Sequence, residues 1–371
     1  MKILSPLSAF AKKNAVMLIA LCAAVITSFI IPVDREYIGY FDFKTLTCLF
    51  CVLAVVCALK EVNFFYILAK KIVQKFKNAR ISVIALVYIT FIGSMLIAND
   101  MALLTFLPLG YFVLTSTGKQ KYMAFTFIMQ NIAANLGGML TPFGNPQNLY
   151  LYTKFEIPNG EFMKIMLLPF CLSIAIITLC CIVFVKPEPL ELADEKVSTD
   201  KKRTVFYLLL FALSIAIVFR GIPYWIGLII IPVALLFTSK RALLQVDYGL
   251  LFTFVFFFIF SGNMARIEVV REFFSSLLNQ STLLVSVLSC QCISNVPSAI
   301  LLSQFTENYP ALLVGVNIGG VGTLISSLAS LITFREYVSH NPGKTAQYIA
   351  KFSAFNFFFL IVLTFIMSLV I

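Results

Sequence analysis

Gly93–Leu109, GSMLIANDMALLTFLPL, is an apolar run broken at its middle by Asn99 and by Asp100, the sole acid between Arg80 and Lys119. Polar and charged groups are expensive to bury in lipid, so the break reads as a functional site. The plan returns in Cys292–Phe305, CISNVPSAILLSQF, as an apolar arm, a Ser-Asn tip and a second apolar arm. Each copy is followed by a Gly-rich apolar segment. Asn135-Leu136-Gly137-Gly138 matches Asn317-Ile318-Gly319-Gly320, and Thr141 and Thr323 stand at equal spacing beyond. The chain carries an internal duplication.

Composition sets the class around these two stretches. Hydrophobic residues make up 60% of the chain and charged residues 12%, and mean hydropathy is +0.95, values of a polytopic membrane protein rather than a soluble domain. The net charge of +11 lies between apolar spans and forms no basic stripe on a polar domain, which excludes a nucleic-acid partner. Nine cysteines sit in apolar runs, where a thiol acts as a small hydrophobe. Cys48 and Cys51 have CxxC spacing without a second pair, and His340 is the single histidine, so no transition-metal site is expected.

Read in order, residues 1–80 supply scaffold helices: an uncharged run Asn14–Pro32, taken as a retained helix rather than a signal peptide, then a span over Thr45–Leu59. Glu61–Arg80 alternates apolar residues with Lys70, Lys71, Lys75 and Lys77, the pattern of an interfacial amphipathic helix. Residues 81–186 form the first transport part. It comprises a re-entrant hairpin with arms Ile81–Ala98 and Met101–Thr117, a helix over Tyr122–Thr153 unwound around Thr141–Asn148, and a span Ile165–Val185. Residues 187–203 are a polar cytoplasmic linker. Residues 204–280 repeat the scaffold, with spans Thr204–Phe219, Ile222–Ser239 and Tyr248–Gly262 and an amphipathic stretch Asn263–Gln280. Residues 281–371 repeat the transport part as a hairpin Ser281–Glu307, a broken helix Pro310–Phe334 and a last span Ala350–Ile371.

The fold class is thus an all-α polytopic membrane protein. The extra span Thr204–Phe219 turns the second half upside down, giving an inverted repeat. With the N-terminus cytoplasmic and the C-terminus external, 21 of the 28 Lys and Arg residues fall on the cytoplasmic side, as the positive-inside rule requires. The chain is placed in the plasma membrane as a multi-pass protein.

Two tips from opposite faces and two unwound segments would meet near the midplane, where inverted-repeat transporters hold substrate. No Lys or Arg falls inside these four elements as drawn. An anion there relies on amides, hydroxyls and helix N-terminal ends. Asn99 and Asn295 read as substrate and cation ligands, or as simple hairpin caps, since an amide both donates and accepts. Thr141, Asn145, Asn148 and Ser326 offer further groups to the substrate, and Ser327 and Ser330 offer oxygens to a hard cation. Asp100 is either an N-cap of the second arm or the coupling residue: its charge repels an anion until Na⁺ or H⁺ neutralises it.

At these residues the sequence resembles the ion transporter superfamily, which includes divalent anion:sodium symporters, citrate permeases, arsenite permeases and some Na⁺/H⁺ antiporters. Ala98-Asn99-Asp100 and Ser294-Asn295-Val296 stand where the dicarboxylate branch carries Ser-Asn-Thr. Gly144-Asn145-Pro146-Gln147-Asn148 and Ser326-Ser327-Leu328-Ala329-Ser330 look like the citrate-permease pattern after each broken helix. Asp100 and Val296 depart from the family threonines, so the dicarboxylate branch's ion stoichiometry does not transfer. The resemblance implies a homodimer of elevator transporters. The expected function is Na⁺- or H⁺-coupled transport of a small organic anion, citrate or a dicarboxylate. The alternatives are a Na⁺/H⁺ antiporter or arsenite/oxyanion permease of the same fold, and a membrane-embedded enzyme, for which the chain has little nucleophile or base. No cofactor beyond the coupling ion is expected.

Overall fold

A computed structural model describes residues 14–190 and 200–371. Lys2, Lys12, Lys13 and most of the linker, including Lys196, lie outside the described residues. Six helices among the described residues are long and apolar enough to cross a membrane. Large apolar side chains such as Phe29 (85% exposed) and Phe237 (84%) face outward, an exterior suited to lipid rather than water.

The first group of helices is a packed frame. α1 (Ala15–Ile30) is followed by the short α2 (Tyr37–Tyr40) and by α3 (Phe43–Glu61), whose N-terminus is capped by Asp42 accepting from the Thr45 N–H at 2.9 Å. α3 packs against α10 (Lys201–Val218), α11 (Tyr224–Thr238) and α12 (Lys240–Leu244), and α1 lies along α13 (Tyr248–Arg266). The α1–α13 pair is tied by Asn263 Nδ2 donating to Thr27 Oγ1 at 3.2 Å and by Arg266 bridging Asp34 at 2.7 Å and Glu36 at 3.3 Å.

The second group holds the two hairpins. α5 (Ala79–Ile97) and α6 (Asn99–Ser116) form the first. α14 (Glu268–Ile293) and α15 (Asn295–Leu302) form the second. Each hairpin packs on a broken helix: α5 and α6 on α7 (Met123–Gly137), which resumes as α8 (Pro146–Lys154), and α14 and α15 on α16 (Tyr309–Ile318), which resumes as α17 (Leu328–His340). α9 (Asn159–Phe184) and α18 (Thr345–Ser368) close each half and touch each other. The groups meet where α8 packs on α3 and α15 on α13.

Several expected boundaries move, each for a local reason. The first break spans Gly138 to Asn145 rather than Thr141 to Asn148, because Pro146 needs no amide partner and starts a helix that takes in Gln147 and Asn148. Glu61–Arg80 is no single amphipathic helix. Asn63 adopts φ 55°, α4 (Phe64–Val73) is short, and Asn78 caps α5 by accepting from the Arg80 and Ile81 amides. The second amphipathic stretch continues into the first hairpin arm within α14, bent at Ser281, where that arm was expected to begin. The second hairpin's return arm stops at Leu302, short of Glu307. The start of the linker is held down. Glu188 receives Lys121 at 2.5 Å, Lys119 at 2.9 Å and the Tyr122 hydroxyl at 2.9 Å, while its carbonyl accepts from the Ala79 N–H at 2.8 Å.

Candidate functional site

Both hairpins turn on one residue with nearly the same backbone: Ala98 at φ 63°, ψ 151° and Ser294 at φ 75°, ψ 159°. Positive φ is uncommon outside glycine and costs about 1–3 kcal/mol. The next residue closes each tip, Asn99 Oδ1 accepting from the Asp100 N–H and Asn295 Oδ1 from the Val296 N–H, both at 2.9 Å. The likeness continues down the arms. Thr141 Oγ1 donates to the Met95 carbonyl at 2.7 Å and Thr323 Oγ1 to the Gln291 carbonyl at 3.2 Å, each acceptor one helical turn before its tip asparagine. Gly137 lies against Phe91 and Ser94 where a Cβ would collide, as Gly319 lies against Cys290. The duplication seen in sequence is therefore a duplication of hydrogen bonds and close packing.

A buried amide network joins the two halves. Asn99 Nδ2 donates to Asn135 Oδ1 at 3.1 Å. Asn145 Nδ2 donates to the Asn135 carbonyl and to Asn317 Oδ1, both at 3.2 Å. Gln147 Nε2 reaches Asn317 Oδ1 at 3.3 Å, and Asn317 Nδ2 donates to Asn148 Oδ1 at 2.6 Å. Asn148 Nδ2 in turn satisfies carbonyls left open by the break, at Gly138 (3.2 Å) and Met139 (3.3 Å). In low dielectric such a network fixes one geometry.

Below the network is a cavity of ≈ 90 Å³. It is lined by Asn99 and Asp100 from the first tip, Ser294 to Pro297 from the second, and the restarted helices at Pro146, Gln147, Ser327 and Leu328. Of the residues expected from sequence, Asn99, Asp100, Asn295 and Ser327 reach it. Thr141, Asn145, Asn148, Ser326 and Ser330 lie behind the lining. Ser326 gives its carbonyl to the Asn295 N–H at 2.9 Å and its hydroxyl to the Gly320 carbonyl at 3.0 Å, and Ser330 accepts from Asn131 at 3.4 Å. These residues shape the wall.

Two buried acceptor oxygens of lining residues, Asp100 Oδ1 and Gln147 Oε1, have no donor among the described residues, and neither has Asn145 Oδ1 behind the lining. An unsatisfied buried oxygen is costly, so an all-acceptor group is an arrangement a cation relieves.

Sequence reasoning missed Gln147, Asp247 and Arg335. Asp247 caps α13 by accepting from the Leu250 N–H at 3.0 Å, and in sequence it reads as a loop charge. Arg335 was expected to lie beyond a broken helix ending at Phe334, but α17 runs to His340, so Arg335 is inside one of the four site elements and lines the cavity. The usable signal was the i, i+3, i+7 run Leu328, Leu331, Arg335 on one helical face.

A lipid-suited helical exterior around a cavity framed by hairpin tips and broken helices defines a membrane transporter. Residues 7–316 match the family model described as Citrate transporter, and the chain belongs to that family. It is 34% identical over 298 residues to the uncharacterized transporter MJ0456 of Methanocaldococcus jannaschii, covering 79% of this chain and 81% of the relative. It is 27% identical over 317 residues to inner membrane protein YbiR of Escherichia coli K12, covering 83% and 84%.

Proposed function

We propose that this secondary transporter couples Na⁺ or H⁺ to the movement of a small organic anion, citrate or a dicarboxylate, with Asp100 as the coupling residue. The observation that carries the reading is the buried, donor-free Asp100 Oδ1 at the wall of a cavity also lined by amide donors. Among the described residues that line the cavity, Asp100 and Asp247 against Arg335 sum to a formal charge of −1, which opposes an anion. A bound cation removes that opposition, and linkage makes each ligand strengthen the other. The amides of Asn99 and Asn295 and the first turns of α8 and α17 then serve the anion, while Gln147 and Ser327 lend oxygens to the cation.

The two halves form an inverted repeat in this reading, and the hairpins with their broken helices move as one body against the frame of α1, α3 and α10 to α13, which the matching tips and the division into two packed groups support. The homodimer is proposed from the family resemblance alone. A second reading, exchange of Na⁺ for H⁺, is favoured by Asp247, which brings a second carboxylate to the cavity from outside the tips.

Uptake of labelled citrate and succinate into proteoliposomes, with an inward Na⁺ gradient or an inward H⁺ gradient, separates the readings. The proposal expects gradient-driven accumulation, abolished by Asn99→Ala or Asn295→Ala in folded protein. Sodium uptake driven by an outward proton gradient, with no carboxylate accumulation, would establish the exchanger instead.

A further inference from the structure

We infer that Arg220 is a positioning residue for transport: from the frame it clamps α8, whose first turn lines the cavity, and its release lets the hairpin group leave the frame. This rests on the reading above of two groups that move against each other. α8 is short, and from Pro146 and Gln147 at the cavity to Lys154 it runs about 12 Å along its axis. The turn between α10 and α11 grips it at both ends. Before α8, the Phe219 ring meets Phe143 in the break edge-on, with centroids 5.7 Å apart. After it, Arg220 Nη2 donates to the Tyr152 carbonyl at 2.7 Å and Nη1 to the Glu156 carbonyl at 3.1 Å. These carbonyls lie at and just past the last turn of α8, the negative end of its dipole, where a cation is favoured. The guanidinium carbon also stands 4.2 Å from the centre of the Tyr152 ring. Tyr152 is buried and donates its hydroxyl to Asn159, so the surface under the guanidinium is fixed.

The backbone is bent to the same end. Arg220 holds φ 62°, in the left-handed region where a helix usually ends on glycine, and the Gly221 N–H closes α10 on the Ala216 carbonyl at 2.9 Å. A glycine at 220 would make this turn without strain but would bring no guanidinium to α8. A basic residue that served only to orient the chain in the membrane needs neither the left-handed backbone nor the two carbonyls. The clamp is also far from where the cavity meets the frame, at Ala15 and Val16 of α1 and Gly249 and Leu250 of α13. Arg220 precedes α11, whose 15 residues run about 22 Å before α12 leads into α13. Arg220 thus fastens the end of the frame away from the start of α13, and carrying the cavity toward that end breaks its bonds to α8.

The test uses the full-length chain in proteoliposomes, without the exposed Cys22, Cys171 and Cys292 and with Phe143→Cys and Phe219→Cys, treated with a bis-methanethiosulfonate and read by intact mass. With Arg220 in place the pair should cross-link. Arg220→Gln should slow the cross-link about fivefold or more, and Arg220→Lys, which keeps the charge and loses the planar pair of donors, should slow it less. Equal rates for Arg220 and Arg220→Gln, or no cross-link with Arg220 present, overturn the inference. Citrate uptake before and after the cross-link is reduced tests the two-group reading separately. Uptake that the cross-link leaves untouched overturns the movement of the groups, while the clamp itself is judged by the cross-linking rates. Should the paired cysteines prevent folding, deuterium exchange of the unmodified chain and of Arg220→Gln reads the same contact. Exchange over 146–157 should rise several-fold in the variant and stay level over α18. Unchanged exchange over 146–157, or an equal rise over α18, counts against the clamp.

Discussion

At the scale of single residues, the hairpin tips carry the most local strain. Ala98 holds φ 63° with a Cβ, and Asn99 closes the turn behind it. Glycine occupies such a backbone without the steric penalty, so Ala98→Gly should raise thermal stability by about 1 kcal/mol, less its own entropic cost. A melting temperature below wild type in the same detergent would show that the alanine is not strained. The tip asparagines and Asp100 were legible in sequence because an amide and an acid inside an apolar run have no cheap structural explanation. Gln147, Asp247 and Arg335 were not. Gln147 and Asp247 sit at helix starts and Arg335 lies inside a helix that was expected to end at Phe334, and only the packing of α13 and α17 around the tips brings them to one cavity.

Between elements, the order of spans, hairpins and broken helices was readable from apolar length and from glycine and proline, whereas the breaks were placed wrongly by a few residues. Pro146 shows why: the unwound stretch was drawn through it as far as Asn148, and here it begins a helix. Gly137 was read as part of a repeat, and the structure adds its reason, the close approach of α7 to the Phe91 carbonyl on α5. Gly137→Ala forces those helices apart and should cost about 1–3 kcal/mol, seen as a lower melting temperature with less protein in the folded peak. Equal stability would mean that α5 gives way freely. Outside the spans, Glu188 gathers the loop after α6 and the strand of chain after α9. Its carboxyl is pulled from the ordinary 4.5 down to about 2 by hydrogen bonds from Lys121, Lys119 and Tyr122. A depressed folded value means that this stabilisation is complete above the unfolded value and fades as pH falls from 4.5 toward 2. Glu188→Gln should therefore flatten the acid limb of stability between those values, and an unaltered limb would assign the acid sensitivity elsewhere.

For the whole molecule, the proposed inverted arrangement of the halves makes a sided claim. Cysteines at Lys119 and Lys154, placed in a background without the exposed Cys22, Cys171 and Cys292, should label from opposite faces, Lys119 from the cytoplasm and Lys154 from outside. Labelling of both from one face contradicts the topology drawn from the distribution of lysine and arginine. The central claim concerns energy rather than placement: an anion and a cation bind to one cavity and each strengthens the other through Asp100. Titration calorimetry of citrate at low and high Na⁺, and at two pH values, on wild type and Asp100→Asn tests it most directly. The wild-type affinity should rise with Na⁺ or with acidity, and the variant should still bind citrate with an affinity that neither changes. If Asp100→Asn keeps the full wild-type cation dependence, Asp100 is not the coupling residue, and the cation is held by neutral oxygens such as those of Gln147 and Ser327.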